Sequence, residues 1–450
     1  MTRIIANDTK SMTNSRLYVD VTQLVHWQGR LTGIPRVMYE LSTRFKPASG
    51  QKVVHVSWVK EVGAFCEIDF VETAKKLGQG IVYIKQETGG AASHKKAVGI
   101  KEVYKPFKRL AKRVIVKIGL SELAIVQKTQ DNLAAAEAQT YKKVSFKPSD
   151  AIFISWGEWW DETFLQVLEN GVRDEKLKII PVIHDVLPFT LAPQFSGHST
   201  ESLMNYCRRI VPISALVLSV SRATQEDLRQ WLVKNDIKPP KMDVFRLGED
   251  FEFAKSEMPT DEAFVKAGLK KNDYILTVGT IEARKNHALL YYVYKLARSR
   301  GIDLPVSVIV GRRGWKTEQI YDFMTGDPEV KDKFVFLHDA SDENLTWLYE
   351  HAKLSVQPSF CEGWGIPIAE SVAHGTPCIS SDKTSMIEVA EGYVRHFDPA
   401  SSDECLALIQ EMLTPESQKK WRAKCAEYKQ TTWDESYAQV RTKMQEIAHV

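Results

Sequence analysis

The second half of the chain, from Asp273 onward, alternates short apolar runs with stretches of helical periodicity. The strand-like runs are Tyr274–Val278, Val306–Val310, Phe334–Leu337, Leu354–Val356 and Pro377–Ser380. The helix-like stretches between them are His287–Arg298, Glu318–Met324, Glu343–Ala352 and Ile366–His374. Continuous β-branched runs that alternate with amphipathic helices are typical of parallel βαβ units with helices on both faces of the sheet. This pattern predicts a doubly wound α/β domain.

The first half repeats the alternation more loosely. Its strand candidates are Leu17–Val21, Val53–Val59, Ala151–Trp156, Lys178–Ile183, Leu216–Val220 and Met242–Arg246. A chain of 450 residues is too long for one ordinary core, so two or three domains are expected. Residues 251–271 are polar and irregular, which suits a hinge. We therefore predict two Rossmann-like domains that face each other across a cleft, covering 1–255 and 256–432.

Composition and the absence of common motifs exclude several classes. The net charge of +3 gives no basic excess for nucleic-acid binding, and the six scattered cysteines favour a reducing compartment over a zinc cage or a disulfide framework. The polar first fifteen residues and the short apolar runs predict a cytoplasmic protein. G-x-G-x-x-G, the P-loop and D-x-D are all missing from the sequence, so a nicotinamide cofactor, a P-loop nucleotide and a metal ion are not predicted.

The most informative segment runs from Ser359 to Glu370. Two acids, Glu362 and Glu370, bracket a glycine-containing loop that opens a helix with Pro367 in its first turn. Such a loop lets the backbone approach a ligand, and the two carboxylates can accept hydrogen bonds from two different hydroxyl-bearing parts of that ligand. The alternative is an ordinary strand–loop–helix junction with surface acids.

Two basic loops follow the first two strands of this half. In the first, Gly279 is followed by Arg284 and Lys285 just before a helix, which suits a clamp on a diphosphate. In the second, Gly311 and Arg312 begin another basic turn. The alternative for the first loop is a solvated basic turn.

Together these segments resemble the second domain of the retaining GT-B glycosyltransferases of family four, also called glycosyl transferases group 1. The E-x7-E signature of that family appears as Glu362 to Glu370, in the form EGWGIPIAE. His374–Ser380 and Ser385–Val389 are similar to two further stretches of the family. The resemblance implies a GT-B fold in which a terminal helix, here 433–450, crosses back to the first domain.

The resemblance also implies roles for individual residues. Arg284 and Lys285 would bind the donor diphosphate, and Glu370 would bind the ribose. Glu362 would hold the donor sugar together with the loop residues Gly363, Trp364, Gly365 and Ile366. Gly279, Gly311, Arg312 and the Leu337–His338 strand end would lie near the nucleotide. Thr280 stands where many members have an arginine, a departure that weakens the diphosphate assignment.

In the first half, two segments are similar to family motifs that approach the donor from the opposite wall. One contains Gly33 and the other contains His184, which would orient the anomeric centre or the acceptor, whereas Asp185 is expected to be structural. Trp159 and Trp160 follow a strand and are candidates for stacking on an acceptor sugar, with core packing as the alternative. Glu158 is a weaker candidate for an acceptor base.

The segment 95–117 carries a strong local charge. It contains nine Lys and Arg residues and one acid, Glu102, which gives +8 within 23 residues. After Pro106, apolar residues recur at helical spacing, a pattern typical of a helix on an anionic membrane surface. The alternative is a solvated basic helix packed on the first domain.

The residues and the resemblance predict an enzyme that transfers a hexose from a nucleotide sugar to a hydroxyl of a glycan or lipid-linked glycan, with retention and without a metal. Mannose from GDP-mannose is the leading donor, with UDP- or dTDP-linked sugars as alternatives. The expected setting is bacterial O-antigen or polysaccharide synthesis at the inner face of the membrane. A sugar-nucleotide epimerase and an inactive nucleotide-sugar-binding module remain as alternatives.

Overall fold

A computed structural model of the chain describes residues 15–27, 31–47, 51–77 except 72 and 76, 141–191, 197–250, 268–314, 317–338 and 340–447. The basic segment 95–117 and most of the predicted hinge lie outside these residues. Within them the chain forms two β-sheets with helices packed around them.

The first sheet has seven strands in the order β3-β2-β1-β4-β5-β6-β7. Neighbouring strands are parallel except β2 and β3, which form an antiparallel hairpin. The strands are β1 Arg16–Asp20, β2 Lys52–Val59, β3 Ala64–Glu67, β4 Ala151–Ile154, β5 Lys178–Ile183, β6 Val217–Ser219 and β7 Met242–Val244.

Six α-helices among the described residues flank this sheet, and side-chain N-caps fix where two of them begin. The helices are α1 Thr22–Val25, α2 Ile34–Arg44, α3 Glu162–Glu175, α4 Leu187–Thr190, α5 Gly197–Arg209 and α6 Arg222–Lys234. The Asp161 carboxylate starts α3 by accepting the N–H groups of Thr163 and Phe164. In α3 the buried residues Phe164, Leu165 and Leu168 recur at helical spacing, so one face packs against the sheet.

The second sheet has six parallel strands in the order β10-β9-β8-β11-β12-β13. They are β8 Tyr274–Val278, β9 Val306–Val310, β10 Phe334–Leu337, β11 Leu354–Gln357, β12 Cys378–Ser381 and β13 Val394–Phe397. The strand order reverses between β8 and β11, and open α/β sheets bind ligands beyond the carboxyl ends of their strands at such a point.

The helices of the second half lie on both faces of this sheet or follow it. They are α7 His287–Ser299, α8 Glu318–Gly326, α9 Asp342–His351, α10 Ile366–Ala373, α11 Ser402–Met412, α12 Pro415–Ala426 and α13 Trp433–Gln445. Among the described helices, none combines the length and apolarity that crossing a membrane requires.

The two halves share one hydrophobic cluster. It joins Val220 of the first half to Trp364, Ile368 and Met386 of the second. The last helix, α13, packs on α2, where Asp434 pairs with Arg44 at 2.7 Å. A side chain on Gly248 would clash with Trp433, since its Cβ would lie 2.3 Å from Trp433 Cδ2. The C-terminal helix therefore lies against the first half.

The predicted fold class, α/β with two doubly wound sheets, is confirmed. The five strands predicted in the second half are all present, but β3 and β13 were not predicted. Three predicted strands were too long, since β4 ends at Ile154, β6 spans only Val217–Ser219 and β7 ends at Val244, while β1 begins and ends one residue earlier than predicted. After β4 the chain leaves the sheet because the Ser155 carbonyl bonds the His184 ring instead of a strand.

Candidate functional site

The loops after β8 and β11 meet at the reversal point of the second sheet. The backbone joins them, since the Phe360 N–H donates to the Arg284 carbonyl at 2.9 Å. Asn286 adds two further links, because its amide donates to the carbonyls of Pro358 and Pro399. The predicted residues Arg284, Lys285 and Glu362 are thereby brought together.

These residues form an ion cluster. Arg284 Nη1 lies 2.6 Å from Glu362 Oε2, and Arg284 Nη2 lies 2.7 Å from Glu282 Oε1. Lys285 Nζ lies 2.6 Å from Glu362 Oε1. Each cation is therefore already paired with a carboxylate. Sequence reasoning missed Glu282, although it lies only two positions before Arg284.

The protonation states in the cluster follow from its charges. Burial raises the pKa of Glu362, but Arg284 and Lys285 outweigh burial and lower that pKa to about 2. Burial lowers the pKa of Arg284, and the carboxylates of Glu362 and Glu282 more than compensate, so that pKa is raised. Burial raises the pKa of Glu282. Glu362 is therefore a carboxylate and Arg284 a guanidinium at neutral pH.

Hydroxyl groups fix the Glu362 loop. The Ser359 hydroxyl donates to Glu362 Oε1 at 2.7 Å, and the Glu362 N–H donates to Thr384 Oγ1 at 3.0 Å. The Ser385 hydroxyl lies within 2.8 Å of the Glu362 carbonyl and 2.7 Å of the Trp364 carbonyl. Thr384 and Ser385 are separated from the loop by about twenty positions, so sequence reasoning did not assign them to it.

The ends of β8, β9 and β10 approach each other closely through glycine. A Cβ on Gly311 would lie 2.0 Å from the Gly279 carbonyl oxygen, so only glycine fits there. The Gly311 N–H donates to the Leu337 carbonyl, and His338 Nδ1 lies 3.0 Å from the Gly311 carbonyl oxygen. The predicted nucleotide residues Gly279, Gly311 and His338 therefore lie side by side.

The two arginines of the loop after β9, Arg312 and Arg313, differ from each other in their surroundings. The Arg312 side chain is exposed, and its carbonyl accepts the Ile281 N–H at 2.9 Å. The Arg313 guanidinium lies 4.6 Å from the centre of the Tyr321 ring, a cation–π geometry. Thr280, the departure from the family pattern, is exposed beside Gly314.

Glu370 lies in α10 and is buried. Its Oε2 accepts the Tyr349 hydroxyl at 2.8 Å. Burial raises the pKa of Glu370, while the Tyr349 hydrogen bond and the positive charge of Arg36 in α2 oppose that rise. Sequence reasoning missed Tyr349, which gives this carboxylate a fixed orientation.

The loop residues between the two acids differ in what they expose. The Trp364 side chain is buried in the shared hydrophobic cluster with the Arg246 guanidinium 5.7 Å from its ring centre, so its backbone is the part left for a ligand. Gly365 begins α10 with φ of 116°, a conformation that favours glycine, and half-buried Ile366 is the first helical residue.

The first half contributes His184 to this region. His184 Nε2 lies 2.8 Å from the Ser155 carbonyl oxygen, and burial lowers the pKa of His184 to about 4, so the imidazole is neutral at pH 7. A Cβ on Gly363 would lie 2.3 Å from the His184 carbonyl oxygen. The strand end that carries His184 and Asp185 therefore touches the Glu362 loop directly.

Asp185 takes part in the electrostatics of the cluster. Burial raises the pKa of Asp185, with Arg284 acting in the opposite direction and Glu362 in the same direction. The Leu187 N–H donates to Asp185 Oδ1 at 3.3 Å, which caps the following turn. That contact agrees with the structural role expected from the sequence.

The remaining first-half candidates lie at other strand ends. Gly33 precedes α2 with φ of 59°. Trp159 is half-buried against the first-half core and touches Trp160 edge to face, whereas Trp160 is 43% exposed. Of the two tryptophans, Trp160 is therefore the better placed to stack on an external sugar. Burial raises the pKa of Glu158, whose Oε1 accepts the Gln23 amide at 2.6 Å.

Comparison with known families identifies the second half. Residues 259–432 match the family model "Glycosyl transferases group 1", so this part of the chain belongs to that family, as the motifs predicted.

Curated relatives include mannosyltransferases. The serotype-specific mannosyltransferase WbdA of Escherichia coli is 26% identical over 247 residues, which cover 52% of this chain and 29% of the relative. The O-antigen chain mannosyltransferase RfbU of Salmonella typhimurium is 30% identical over 246 residues, which cover 54% of this chain and 66% of the relative. This chain thus spans less than a third of the length of that WbdA relative.

Solved structures share the fold over nearly the whole chain. Sucrose-phosphate synthase from Thermosynechococcus elongatus superposes with a TM-score of 0.57 at 14% identity, covering 96% of this chain and 99% of that one. Anabaena HepE in complex with UDP-glucose superposes with a TM-score of 0.55 at 13% identity, covering 96% and 100%. The fold is that of the GT-B glycosyltransferases.

Proposed function

We propose that this chain is a glycosyltransferase that moves a hexose from a nucleoside diphosphate sugar to a hydroxyl group of a glycan acceptor. The observation that carries the proposal is the cluster of Arg284, Lys285 and Glu362 at the reversal point of the second sheet. Two cations at the carboxyl ends of parallel strands suit a diphosphate, and a carboxylate beside them suits sugar hydroxyls.

Bond cleavage places negative charge on the departing diphosphate and positive charge on the sugar ring. Fixed cations stabilise the first of these charges, and this electrostatic term is usually the largest in such a reaction. A bound diphosphate would take over the hydrogen bonds that Arg284 and Lys285 now make with Glu362. Glu362 would then be released to accept hydroxyl groups of the donor sugar.

We propose retention of the anomeric configuration, with attack from the face of the leaving group and transfer of the acceptor proton to the departing phosphate. Glu362 is a poor nucleophile because both of its oxygens are bonded, to Arg284, Lys285 and Ser359, and because its pKa is about 2. The neutral His184 on the opposite wall would orient the anomeric centre or the acceptor. Since two side-chain cations supply the positive charge, we propose that transfer needs no metal ion.

For the donor we propose GDP-mannose ahead of UDP- or dTDP-linked sugars, and for the pathway bacterial O-antigen or polysaccharide synthesis. Support comes from relatives named as mannosyltransferases, two of them of the O-antigen chain. The acceptor would be a glycan or lipid-linked glycan, with Trp159 and Trp160 near it. We propose that the enzyme acts at the inner face of the cytoplasmic membrane, with segment 95–117 on the anionic surface.

The test is a panel of nucleotide sugars, assayed for free nucleotide with and without a lipid-linked glycan acceptor, in the presence and absence of EDTA. We expect nucleotide release that depends on the acceptor, that is greatest with GDP-mannose and that is unchanged by EDTA. Acceptor-independent conversion of the sugar would favour an epimerase instead. Binding of the nucleotide sugar without any turnover would favour an inactive binding module.

A further inference from the structure

A carboxylate from the second half caps a helix of the first half. The N–H groups of Arg222 and Ala223, in the first turn of α6, donate to Glu388 Oε2 at 2.9 Å and to Glu388 Oε1 at 2.7 Å. The Arg222 guanidinium adds an ion pair at 3.3 Å. The first N–H groups of a helix have no partner within the helix and carry partial positive charge, so a carboxylate there is stabilising.

The same turn contacts both walls of the candidate site. The Thr224 hydroxyl lies 3.4 Å from the His184 carbonyl oxygen and 3.4 Å from the Gly363 carbonyl oxygen. The hydroxyl of Ser221 accepts the Thr224 N–H at 3.0 Å and so fixes that residue. The start of α6 is therefore the point where the His184 strand end and the Glu362 loop are held together.

On the second half, Glu388 is tied to the Glu362 loop by a short segment, residues 384–388. The Glu388 N–H donates to the Ser385 carbonyl at 2.8 Å. Thr384 and Ser385 in turn hold the backbone of Glu362, and Ser385 also reaches Trp364. Hydrogen bonds of Thr384 and Ser385 therefore connect the short segment that carries Glu388 to the loop that carries Glu362.

We infer that Glu388 is a positioning residue of the transfer reaction, one that fixes the Glu362–Gly365 loop against His184 by capping α6 across the boundary between the two halves. The inference rests on the proposed function for its effect on rate. Glu388 acts through the loop rather than on the reacting atoms. Its contribution is alignment, to which rates of transfer are sensitive at the ångström scale.

The experiment begins with Glu388→Ala, because this substitution removes both acceptors from α6. We expect kcat of acceptor-dependent transfer to fall about tenfold, while the donor Kd changes less than about twofold, since the diphosphate-binding residues are left in place. Glu388→Gln retains one oxygen as an acceptor, so its kcat should lie between that of Glu388→Ala and that of the unaltered protein. The matched control is Glu391→Ala, because Glu391 is exposed and lies 3.9 Å from the Arg222 guanidinium. A kcat for Glu388→Ala that equals that of Glu391→Ala would overturn the inference.

The cap can also be broken from the helix side. Arg222→Pro removes the N–H and the guanidinium, and proline is tolerated at the first position of a helix. Ser221 has φ of −151° and ψ of 158°, which suits a residue before proline. In a double-mutant cycle, we expect Glu388→Ala to cost less once Arg222→Pro is present, because only the Ala223 N–H then remains to bond the carboxylate, whereas additive losses would contradict the inference.

Hydrogen exchange supplies a measurement that does not depend on transfer. We expect the Ala223 amide to exchange about tenfold faster in Glu388→Ala than in Glu391→Ala, because it has lost its acceptor. Unchanged exchange would show that the cap does not form. If the cap is present but no donor sugar is transferred by any variant, the proposed function fails and the cap itself stands, so the two failures are distinguishable.

Discussion

The two walls of the candidate site differ in how they handle charge. On the second-half wall, Arg284, Lys285, Glu282 and Glu362 are charge-bearing groups paired at 2.6 to 2.7 Å. On the first-half wall, His184 is neutral at pH 7 and bonds a backbone carbonyl. The second-half wall therefore holds paired cations and carboxylates, whereas His184 on the first-half wall contributes a neutral imidazole beside the carboxyl group of Asp185.

Energetics explain why the charged wall is compensated before a donor arrives. An isolated buried charge is costly, and breaking a buried ion pair from one side leaves the other partner unpaired. With Glu362 and Glu282 present, the attraction between opposite charges offsets the solvation free energy that the cations lose on burial. In the proposed reaction, an incoming diphosphate would replace a carboxylate rather than water.

The largest effect should come from removing a cation from the charged wall. We expect Lys285→Ala to lower acceptor-dependent transfer by about a hundredfold or more, since the departing phosphate loses a fixed positive charge. The measurement is kcat/KM for nucleotide release. Lys295→Ala is the matched control, because Lys295 pairs with Asp327 on the surface of α7. A comparable loss in both variants would contradict the special role of Lys285.

A smaller effect should follow from pushing the walls apart. In Gly363→Ala, the new Cβ would meet the His184 carbonyl oxygen at 2.3 Å, so the loop or the strand end must move. We expect a loss of about tenfold in kcat, with a donor Kd close to that of the unaltered protein. Gly326→Ala adds a Cβ that meets nothing within 4 Å and should leave kcat unchanged. Normal activity in Gly363→Ala would show that close contact between the walls is unnecessary.

The parallel core of the second half was predictable from the sequence, because a continuous apolar run such as Val306–Val310 is by itself typical of a buried parallel strand. It missed β13, where Arg395 and His396 are half-buried and interrupt the apolar run, and β3, a short antiparallel partner of β2. Pairing with a neighbouring strand decides both, since β13 pairs with β12 and β3 with β2, and the intrinsic preference of a four-residue run does not show such pairing.

The residues of the candidate site likewise fall into those that the sequence predicted and those that only the structure shows. Arg284, Lys285 and Glu362 were predicted because they lie in short motifs at strand ends. Glu282, Tyr349 and Glu388 were not predicted as members of the site, since each is recognised by its contact with a distant segment or with a paired side chain. Motifs therefore indicate the groups that we propose to meet the ligand, and tertiary contacts identify the groups that hold them in place.

The buried carboxylate of the second half gives a further test. We expect Glu370→Ala to weaken donor binding about tenfold, and Tyr349→Phe to weaken it a few-fold, because the phenol only orients the carboxylate. Calorimetric titration with the nucleotide sugar measures both. If Tyr349→Phe were the more damaging variant, Glu370 would not be the group that contacts the donor.

The smallest expected effect concerns stability and pH. The folded state keeps His184 neutral with a pKa of about 4, below the ordinary value of 6.5, so the unfolded chain binds the proton more readily. The contribution of His184 is therefore full above pH 6.5 and is lost as the pH falls from 6.5 towards 4. Glu362, with a pKa of about 2, contributes fully above pH 4.5 and loses its contribution between 4.5 and 2.

Urea unfolding at pH 7 and pH 5 measures the effect of His184 without that of Glu362, because both pH values lie above 4.5, where the contribution of Glu362 is still full. We expect His184→Gln to reduce the loss of unfolding free energy between these pH values by on the order of 1 kcal/mol, because its proton uptake is removed. The exposed His26 provides a matched variant, His26→Gln, which should keep the pH dependence. An equal pH dependence in all three proteins would contradict the lowered pKa of the half-buried His184.

The most direct test of the central claim is a crystal structure of the chain with a nucleotide sugar bound. We expect the diphosphate at the carboxyl ends of β8 and β11, with Arg284 and Lys285 on its oxygens and Glu362 turned to the sugar. A diphosphate bound elsewhere, with both cations still paired to Glu362, would contradict the account.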